Sequence, residues 1–546
     1  MPDTMVAPSA TADVATFDAI VIGAGIAGIY QLYKLRELGL SVRVFETGNG
    51  VGGTWYWNRY PGARFDSESY TYGYAFSEGL LKDWDWSEHF SAQPENERYL
   101  NHVVDRFSLR KDIQCGSRVK SAVWDEAARQ WNVTLDDGRL YRSRFVITAV
   151  GPLSADTLPR FEGIGDFKGR SFHTYRWPLD PIDFSGKRVA VIGTGATGVQ
   201  VIQTIAPLVG SLTVFQRTPN WCTPLHNRAI TGAEQDDIKA GYPAMFELLR
   251  QTPGCYIHIT DPRGTFEVSA EEREAFWERL YSEPGFAIWM ANFRDMLTDP
   301  KANALFSEFV AKKIRQRVKD PVVAERLIPK CHGFGTRRVP QETGYYEAFN
   351  LPHVTLVDTR ETPIVQVFAD GIACSDRSYE FDIIIYATGF DAVLGSFDRI
   401  DVRGIGGVTL KEHWGDGPKT YLGMMSAGFP NLLTIVGPHN ASTRCNIPRC
   451  IEQNVDWVSD LIGYAGKHEV TRLEATTDAE TDWSRHVEEL ADGMLYTLVN
   501  SWMTGINTNV EGRNVRRVLQ YQGGAPQYRE RCDAVAEHGY EGMLLA

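Results

Sequence analysis

The chain has 546 residues, 43% hydrophobic and 23% charged, with 14 Trp, 23 Tyr and 26 Phe; this excludes a largely disordered chain and suits two to four domains of ~150 residues each. Its net charge of −13, from 56 basic and 69 acidic residues without a long Lys/Arg run, speaks against nucleic acid and anionic membranes as partners. No apolar stretch reaches the ~18 residues of a membrane span, residues 1–16 read as a small polar disordered tail rather than a signal peptide, and the scattered Cys fit a reducing cytoplasm better than a disulfide framework.

From residue 17 the chain reads as a βαβ unit. An apolar run is followed by the turn Gly23-x-Gly25-x-x-Gly28, a helix over 29–38 and a strand over 41–46. The first Gly allows the tight turn, the second lets backbone approach a pyrophosphate, and the third lets helix and strand pack closely. Glu46 ends the second strand, where a carboxylate accepts hydrogen bonds from a ribose diol. The unit repeats from residue 187, with Gly193-Thr194-Gly195-Ala196-Thr197-Gly198, a helix over 199–206 and a strand over 212–216. That strand runs into Gln216-Arg217 with no acid, and a guanidinium there suits a 2′-phosphate, so this site prefers NADPH to NADH.

Residues 228–326 carry apolar side chains at helical spacing, as over 269–282 and 303–318, and read as a helical insertion. Strands follow over 354–357, 364–368 and 381–387, and the part from 449 to 502 is mostly helical. Thr148-Ala149-Val150-Gly151 and Ala387-Thr388-Gly389 end apolar strand runs where the chain passes between domains. Two nucleotide sites in one chain describe an electron relay, with FAD at the first and the nicotinamide at the second. The expected fold is α/β, with two Rossmann-like dinucleotide-binding domains (FAD over 17–150 and 386–546, NADP over 151–225 and 332–385) and the helical insertion over 226–331.

A disulfide-reductase reading needs a redox Cys pair beside the flavin. The only close pair, Cys445-x4-Cys450, lies far from the first βαβ unit, and the ligands a zinc site would need are not clustered, so no metal is expected.

Two strings between the Gly-rich turns carry a family resemblance. Phe167-x-Gly169-x3-His173-x3-Trp177-Pro178 and Gly52-Gly53-x-Trp55-x4-Tyr60-Pro61-Gly62-x3-Asp66 match, at every fixed position, the two fingerprints of Baeyer–Villiger monooxygenases. With the glycine motifs, the resemblance covers about residues 17–540 and is closest to the single-chain cyclohexanone-monooxygenase type. It implies bound FAD and NADPH, a ketone and O2 as small-molecule substrates, a C4a-peroxyflavin, and a lactone or ester product from a cytoplasmic monomer or homodimer. Flavin monooxygenases of amines and sulfides share the architecture but normally lack Trp177 and the residue after it. An NADPH oxidase or sensor without oxygen transfer is the alternative from another class.

The resemblance also assigns residues. Arg338, in Gly335-Thr336-Arg337-Arg338, matches the catalytic arginine, and arginine suits the task because it stays charged at any working pH. Asp66 is implied to lie by the flavin and to orient the catalytic arginine. Arg64, Thr54, Trp55, Tyr72 and Val119 fall among the FAD contacts, while Trp57 reads equally as core packing. Arg337 replaces the usual Lys at the 2′-phosphate, and Trp502 matches the tryptophan that bonds the nicotinamide ribose when a loop closes. The following residues 505–513 depart from the family's GANIPGK by an insertion and the lack of Pro. His173 reads as a structural or hinge residue. The loop 437–446 belongs to the substrate pocket, where Arg444 meets either an anionic substrate group or solvent.

Overall fold

The computed structural model describes residues 14–440 and 445–546. In chain order, β1 (Ala15–Ile22), α1 (Ile26–Glu37) and β2 (Val42–Phe45) form the first βαβ unit. There follow β3 (Ile113–Gln114), β4 (Val119–Asp125), β5 (Gln130–Leu135) and β6 (Leu140–Thr148). The second unit has β7 (Arg170–His173), β8 (Arg188–Ile192), α2 (Ala196–Ile205) and β9 (Ser211–Gln216). Helices α3 (Gly232–Gln251), α4 (Ala270–Ser282) and α5 (Pro300–Arg317) lie in the insertion. After it come β10 (Val354–Asp358), β11 (Ile383–Tyr386), β12 (Asp401–Arg403), β13 (Leu432–Thr434), α6 (Ile447–Lys467), α7 (Thr477–Ala491) and α8 (Gly524–Glu537).

The larger sheet runs β12-β4-β5-β6-β1-β2-β3, with β13 also paired to β6; the smaller runs β10-β9-β8-β11-β7 and is parallel throughout. Side chains of the central strands alternate between two buried faces. In β1, Ala19 and Val21 enter one apolar core and Ile20 and Ile22 the opposite one. In β8, Val189 and Val191 face one core and Ala190 and Ile192 the other. The insertion has no separate core: Trp277, Phe306 and Phe309 belong to the same cluster as Val189 and Val191. Among the described residues no helix is long and apolar enough to cross a membrane.

The observed elements differ from the expected ones at their ends. Ala15 and Thr16, expected in the tail, open β1 because they pair with Tyr141 and Arg142; residues 1–13 of that tail lie outside the described residues. Helix α1 starts at Ile26 rather than 29 because Gly25 is already its N-cap. The helical C-terminal part is broken by Leu473–Ala475, which pairs with Met543–Leu545.

Both nucleotide turns are built alike. Gly23 (φ +108) and Gly193 (φ +111) take conformations that L side chains rarely adopt, and each lies against the carbonyl of an alanine from a neighbouring strand end, Ala149 and Ala387. A Cβ on Gly198 would fall onto the carbonyl oxygen of Gly193, whereas one on Gly195 would meet nothing within 4 Å. Gly198→Ala is therefore expected to lower stability by roughly 2–4 kcal/mol. Gly195→Ala should leave the unfolding midpoint unchanged, because its φ of −77° suits alanine. Thermal unfolding of the two variants side by side checks this contrast, and equal midpoints would overturn the packing account.

Candidate active site

The first cradle lies between β1 and α1. The α1 N-terminus begins at Gly25, so its unpaired N–H groups and positive dipole end favour a phosphate there. Gly25 faces Gly53 closely enough that a Cβ on Gly53 would stand 2.8 Å from the Gly25 Cα. Glu46, 5% exposed, accepts from the N–H groups of Ala24 at 2.8 Å and Gly48 at 2.7 Å. Each carboxylate oxygen keeps a further lone pair for a hydroxyl donor. Burial pushes this carboxyl up, and the Ala24 and Gly48 N–H groups oppose the shift. Val119 is buried at the start of β4, just beyond Ser117, whose N–H donates to the Glu46 carbonyl at 2.8 Å.

Thr54–Trp57 forms a single helical turn after the Gly52-Gly53 bend. Thr54 is exposed, while buried Trp55 donates its Nε1–H to the Tyr72 hydroxyl at 3.2 Å. Tyr72 stacks on Phe65 at 4.2 Å between ring centroids, and this fixes the backbone entering Asp66. Trp57 stacks on Tyr175 at 5.4 Å, so it joins the two halves of the molecule. Arg64 donates to Glu88 and to the Phe90 carbonyl, each at 3.2 Å, and its own carbonyl accepts from Gln200 of α2 at 3.0 Å.

Asp66 and Arg338 meet between the two sheets. The Arg338 Nη2 donates to Asp66 Oδ2 at 2.9 Å, and the Gln341 N–H approaches the same oxygen at 3.4 Å. The second oxygen, Oδ1, is buried without a protein partner. Burial raises the Asp66 carboxyl above its usual range, and the charge of Arg338 pulls it back. The guanidinium lies over the ring of Phe286 at 4.7 Å and near that of Trp289 at 5.9 Å, and Nη1 donates to the Val339 carbonyl. The Arg338 side chain remains 24% exposed against 4% for Asp66, so the cation has an open side and the carboxylate does not.

At the second cradle the Thr194 hydroxyl donates to the Thr218 carbonyl at 3.0 Å, and Thr197 lies half-buried in the first turn of α2. Gln216 is fully buried, and its amide donates to the Arg326 carbonyl at 2.8 Å, so it faces the insertion rather than the open end of the sheet. Arg217 is exposed and donates to the Thr508 hydroxyl at 2.6 Å; Arg337 donates to the Asn500 carbonyl at 2.6 Å. Burial and the nearby Arg217 charge push the Arg337 guanidinium down. Both cations bond neutral oxygens here, which leaves their charge available to an anion. Trp502, two residues beyond Asn500, is half-buried against the core that contains Leu519 and Trp414.

His173 accepts from the Tyr175 N–H at 3.1 Å and packs edge-on against Phe390, in the strand-to-strand link where Thr157 N–H donates to the Gly389 carbonyl at 3.0 Å. The loop after Trp502 is tied down by Arg513, which binds Asp391 at 2.9 Å and Asp398 at 2.7 Å. Arg444 lies outside the described residues. One expectation is corrected: Cys445 and Cys450 are disulfide-bonded, because the N-terminal turn of α6 brings them together, while the other six cysteines are free. Phe286, Trp289 and the N–H of Gln341 were not foreseen as parts of the site, because a ring beneath a guanidinium leaves no spacing signature in a helical insertion.

Residues 18–231 match the family model described as flavin-binding monooxygenase-like. A 2-oxo-Δ3-4,5,5-trimethylcyclopentenylacetyl-CoA monooxygenase of Pseudomonas putida is 49% identical over 97% of this chain and 98% of its own. A Baeyer–Villiger monooxygenase of Pseudooceanicola batsensis is 40% identical over 97% and 96%. The crystal structure of OTEMO in complex with FAD and NADP superposes with a TM-score of 0.94 at 48% identity, covering 98% of this chain and 100% of that one.

His332, 8% exposed and close to Arg337, gives the site a pH limit. Burial and the Arg337 charge push its pKa down to about 3, against 6.5 in the unfolded chain. The unfolded chain therefore binds the extra proton between these values: the stabilisation is complete above pH 6.5 and is lost as pH falls towards 3. His332→Gln is expected to remove about 2 kcal/mol of the stability lost between pH 7 and pH 5. Urea unfolding at both pH values measures this, and identical losses in the two proteins would show that His332 is not responsible.

Proposed function

The chain belongs to the Baeyer–Villiger monooxygenases, and we propose that it holds FAD on the larger sheet and NADPH on the smaller. In this reading it inserts one oxygen atom of O2 beside a ketone carbonyl, turning a cyclic ketone into a lactone or an open one into an ester. The domain division follows the same reading, with 17–150 and 386–546 for FAD, 151–225 and 332–385 for NADPH, and 226–331 as the insertion.

The residues fit these groups. The Gly25–Gly53 approach and the spare lone pairs of Glu46 suit the pyrophosphate and ribose of a dinucleotide. Open space at Gly195 and the acid-free pair Arg217 and Arg337 suit a second dinucleotide carrying a 2′-phosphate. When bound, the flavin takes electrons from the nicotinamide and activates O2.

The observation that carries the proposal is the setting of Arg338. Its guanidinium is fixed by Asp66, backed by Phe286 and open on one side. A guanidinium stabilises negative charge on oxygen by hydrogen bonding and charge, without serving as an acid. The same charge stabilises the oxyanion that develops from the ketone carbonyl. Asp66 is a positioning residue that accepts from Arg338 and keeps the guanidinium plane in place. Arg217 and Arg337 recognise the coenzyme, and Trp502 stands next to the Asn500 carbonyl that Arg337 grips.

The first test is a panel of cyclic ketones, with and without a CoA tail, given to the FAD-loaded enzyme with NADPH in air. Lactone formed per NADPH consumed should approach one for at least one ketone. NADPH oxidation yielding only H2O2, or oxygen transfer only to amines and sulfides, would overturn the reading. Arg338→Ala is expected to lower product formation by about 100-fold or more while NADPH consumption continues. Removing either Arg217 or Arg337 should raise KM for NADPH by roughly 10–100-fold and leave KM for NADH nearly unchanged. Steady-state kinetics with both coenzymes separate these outcomes.

A further inference from the structure

Three sulfur atoms from two distant parts of the chain converge beside the site. Cys255, Cys445 and Cys450 lie with their Sγ atoms within 4.8 Å of one another, and Cys445 and Cys450 are bonded. The turn that carries Cys255 is held on two sides. The Gly254 carbonyl accepts from the Asn446 N–H at 2.7 Å, and the Pro253 carbonyl accepts from Ala525, in α8, at 2.8 Å. The turn is thus held beside the bridge. All three sulfurs line one pocket, together with Arg449 and Arg529. Cys255 also borders an adjoining cleft that Arg250, Arg449 and Arg529 share.

We propose that these cysteines form a thiol–disulfide exchange site in which Cys255 displaces Cys450 from Cys445 and so ties the helical insertion covalently to the loop before α6. The Cys255 thiol loses its proton and forms the Cys255–Cys445 bond as the Cys445–Cys450 bond breaks. Cys450 leaves as a thiolate and takes up a proton, so no electrons are gained or lost. Cys450 is the better leaving group because it is half-buried, whereas Cys445 is buried and would carry the charge at a greater desolvation cost. Burial pushes the Cys255 thiol up to about 11, while the three guanidiniums of Arg529, Arg449 and Arg250 favour its thiolate. Two equivalents of a low-molecular-weight thiol, themselves oxidised to their disulfide, reopen either pairing and return two thiols. This differs from a flavin-linked redox dithiol: the bridge acts on the shape of the site and transfers nothing to the flavin.

Both sides of the bridge lead to the ion pair. Tyr256, next to Cys255, packs edge-on against Phe286 at 5.3 Å, and Phe286 is the ring under Arg338. Asn446, next to Cys445, donates to the Thr71 carbonyl at 3.1 Å and its hydroxyl at 3.0 Å. Thr71 precedes Tyr72, which stacks on the neighbour of Asp66. Exchange or reduction should therefore alter substrate binding rather than flavin content.

The test equilibrates the FAD-loaded full chain in glutathione buffers from reducing to oxidising, traps free thiols by alkylation and maps disulfide-linked peptides without reduction. Both Cys445–Cys450 and Cys255–Cys445 peptides are expected under oxidising conditions, and only Cys445–Cys450 in Cys255→Ser. KM for a turned-over ketone should change at least about threefold, reversibly, between the two ends of the series. Peptide mapping needs no activity, so it remains decisive if the ketone reading fails or the serine variant does not fold. Cys255 fully alkylated at every glutathione ratio would overturn the proposal. So would three free thiols throughout, or stoichiometric zinc protecting all three from alkylation.

Discussion

The ion pair between Asp66 and Arg338 is the constraint on which the rest of the structure depends. Its members are separated by 272 positions in the chain and meet at 2.9 Å, with the carboxylate almost fully buried. A buried charge is tolerated only with a well-placed partner, and removing one partner of such a pair typically costs about 3–5 kcal/mol. The segment that follows the first βαβ unit and the segment that leaves the insertion must therefore stay in register. The bonds from Arg64 and Tyr60 to Gln200 of α2 serve the same end, because they fasten the strip 60–66 to the second nucleotide unit before it reaches the ion pair.

The two cradles repeat one solution and then diverge. Each uses a left-handed glycine beneath an alanine carbonyl from a neighbouring strand, so each strand end and helix start are locked together in the same way. The difference lies in what stands over the second glycine of each motif. Gly53 closes on Gly25, whereas nothing stands within 4 Å of a Cβ at Gly195. The first cradle is thus roofed by the chain and suits a group that stays in place. The second is open towards Arg217, Arg337 and Thr508, which suits a coenzyme that comes and goes. The flanking charge diverges likewise, with the buried Glu46 carboxylate at the first and the cations Arg217 and Arg337 at the second.

Much of this was legible because glycine, a strand-ending acid and a fingerprint tryptophan are local signals. The turns at Gly23 and Gly193, Glu46 at the end of β2 and Arg217 after β9 follow from sequence spacing, and the placement of Asp66 opposite Arg338 from the family resemblance. The periodicity also gave the helices of the insertion, but not their shared core with the smaller sheet, since a helix face does not state its partner. The same limit hides Phe286 and Trp289. Their neighbours in sequence are ordinary helix and turn residues, and only the tertiary path of the insertion brings them under Arg338. Gln216 shows the converse: its position at the end of the strand reads as a nucleotide contact, yet its side chain turns inward to the Arg326 carbonyl.

The aromatic floor under Arg338, supplied by the insertion, shapes how that cation is held. A guanidinium bound only to a carboxylate would be largely neutralised and would offer little field to a third group. Here one edge is spent on Asp66 and the Val339 carbonyl, while a face rests on Phe286, whose quadrupole holds the cation without supplying a full negative charge. The remaining exposure, about a quarter of the side chain, leaves that side of the cation without a protein counter-charge. Lysine could keep the charge but not this arrangement, because a compact ammonium cannot lie flat on a ring while donating from one rigid edge to a carboxylate and a carbonyl. The insertion thus does more than cover the smaller sheet: it sets how much of the arginine's charge is left uncompensated.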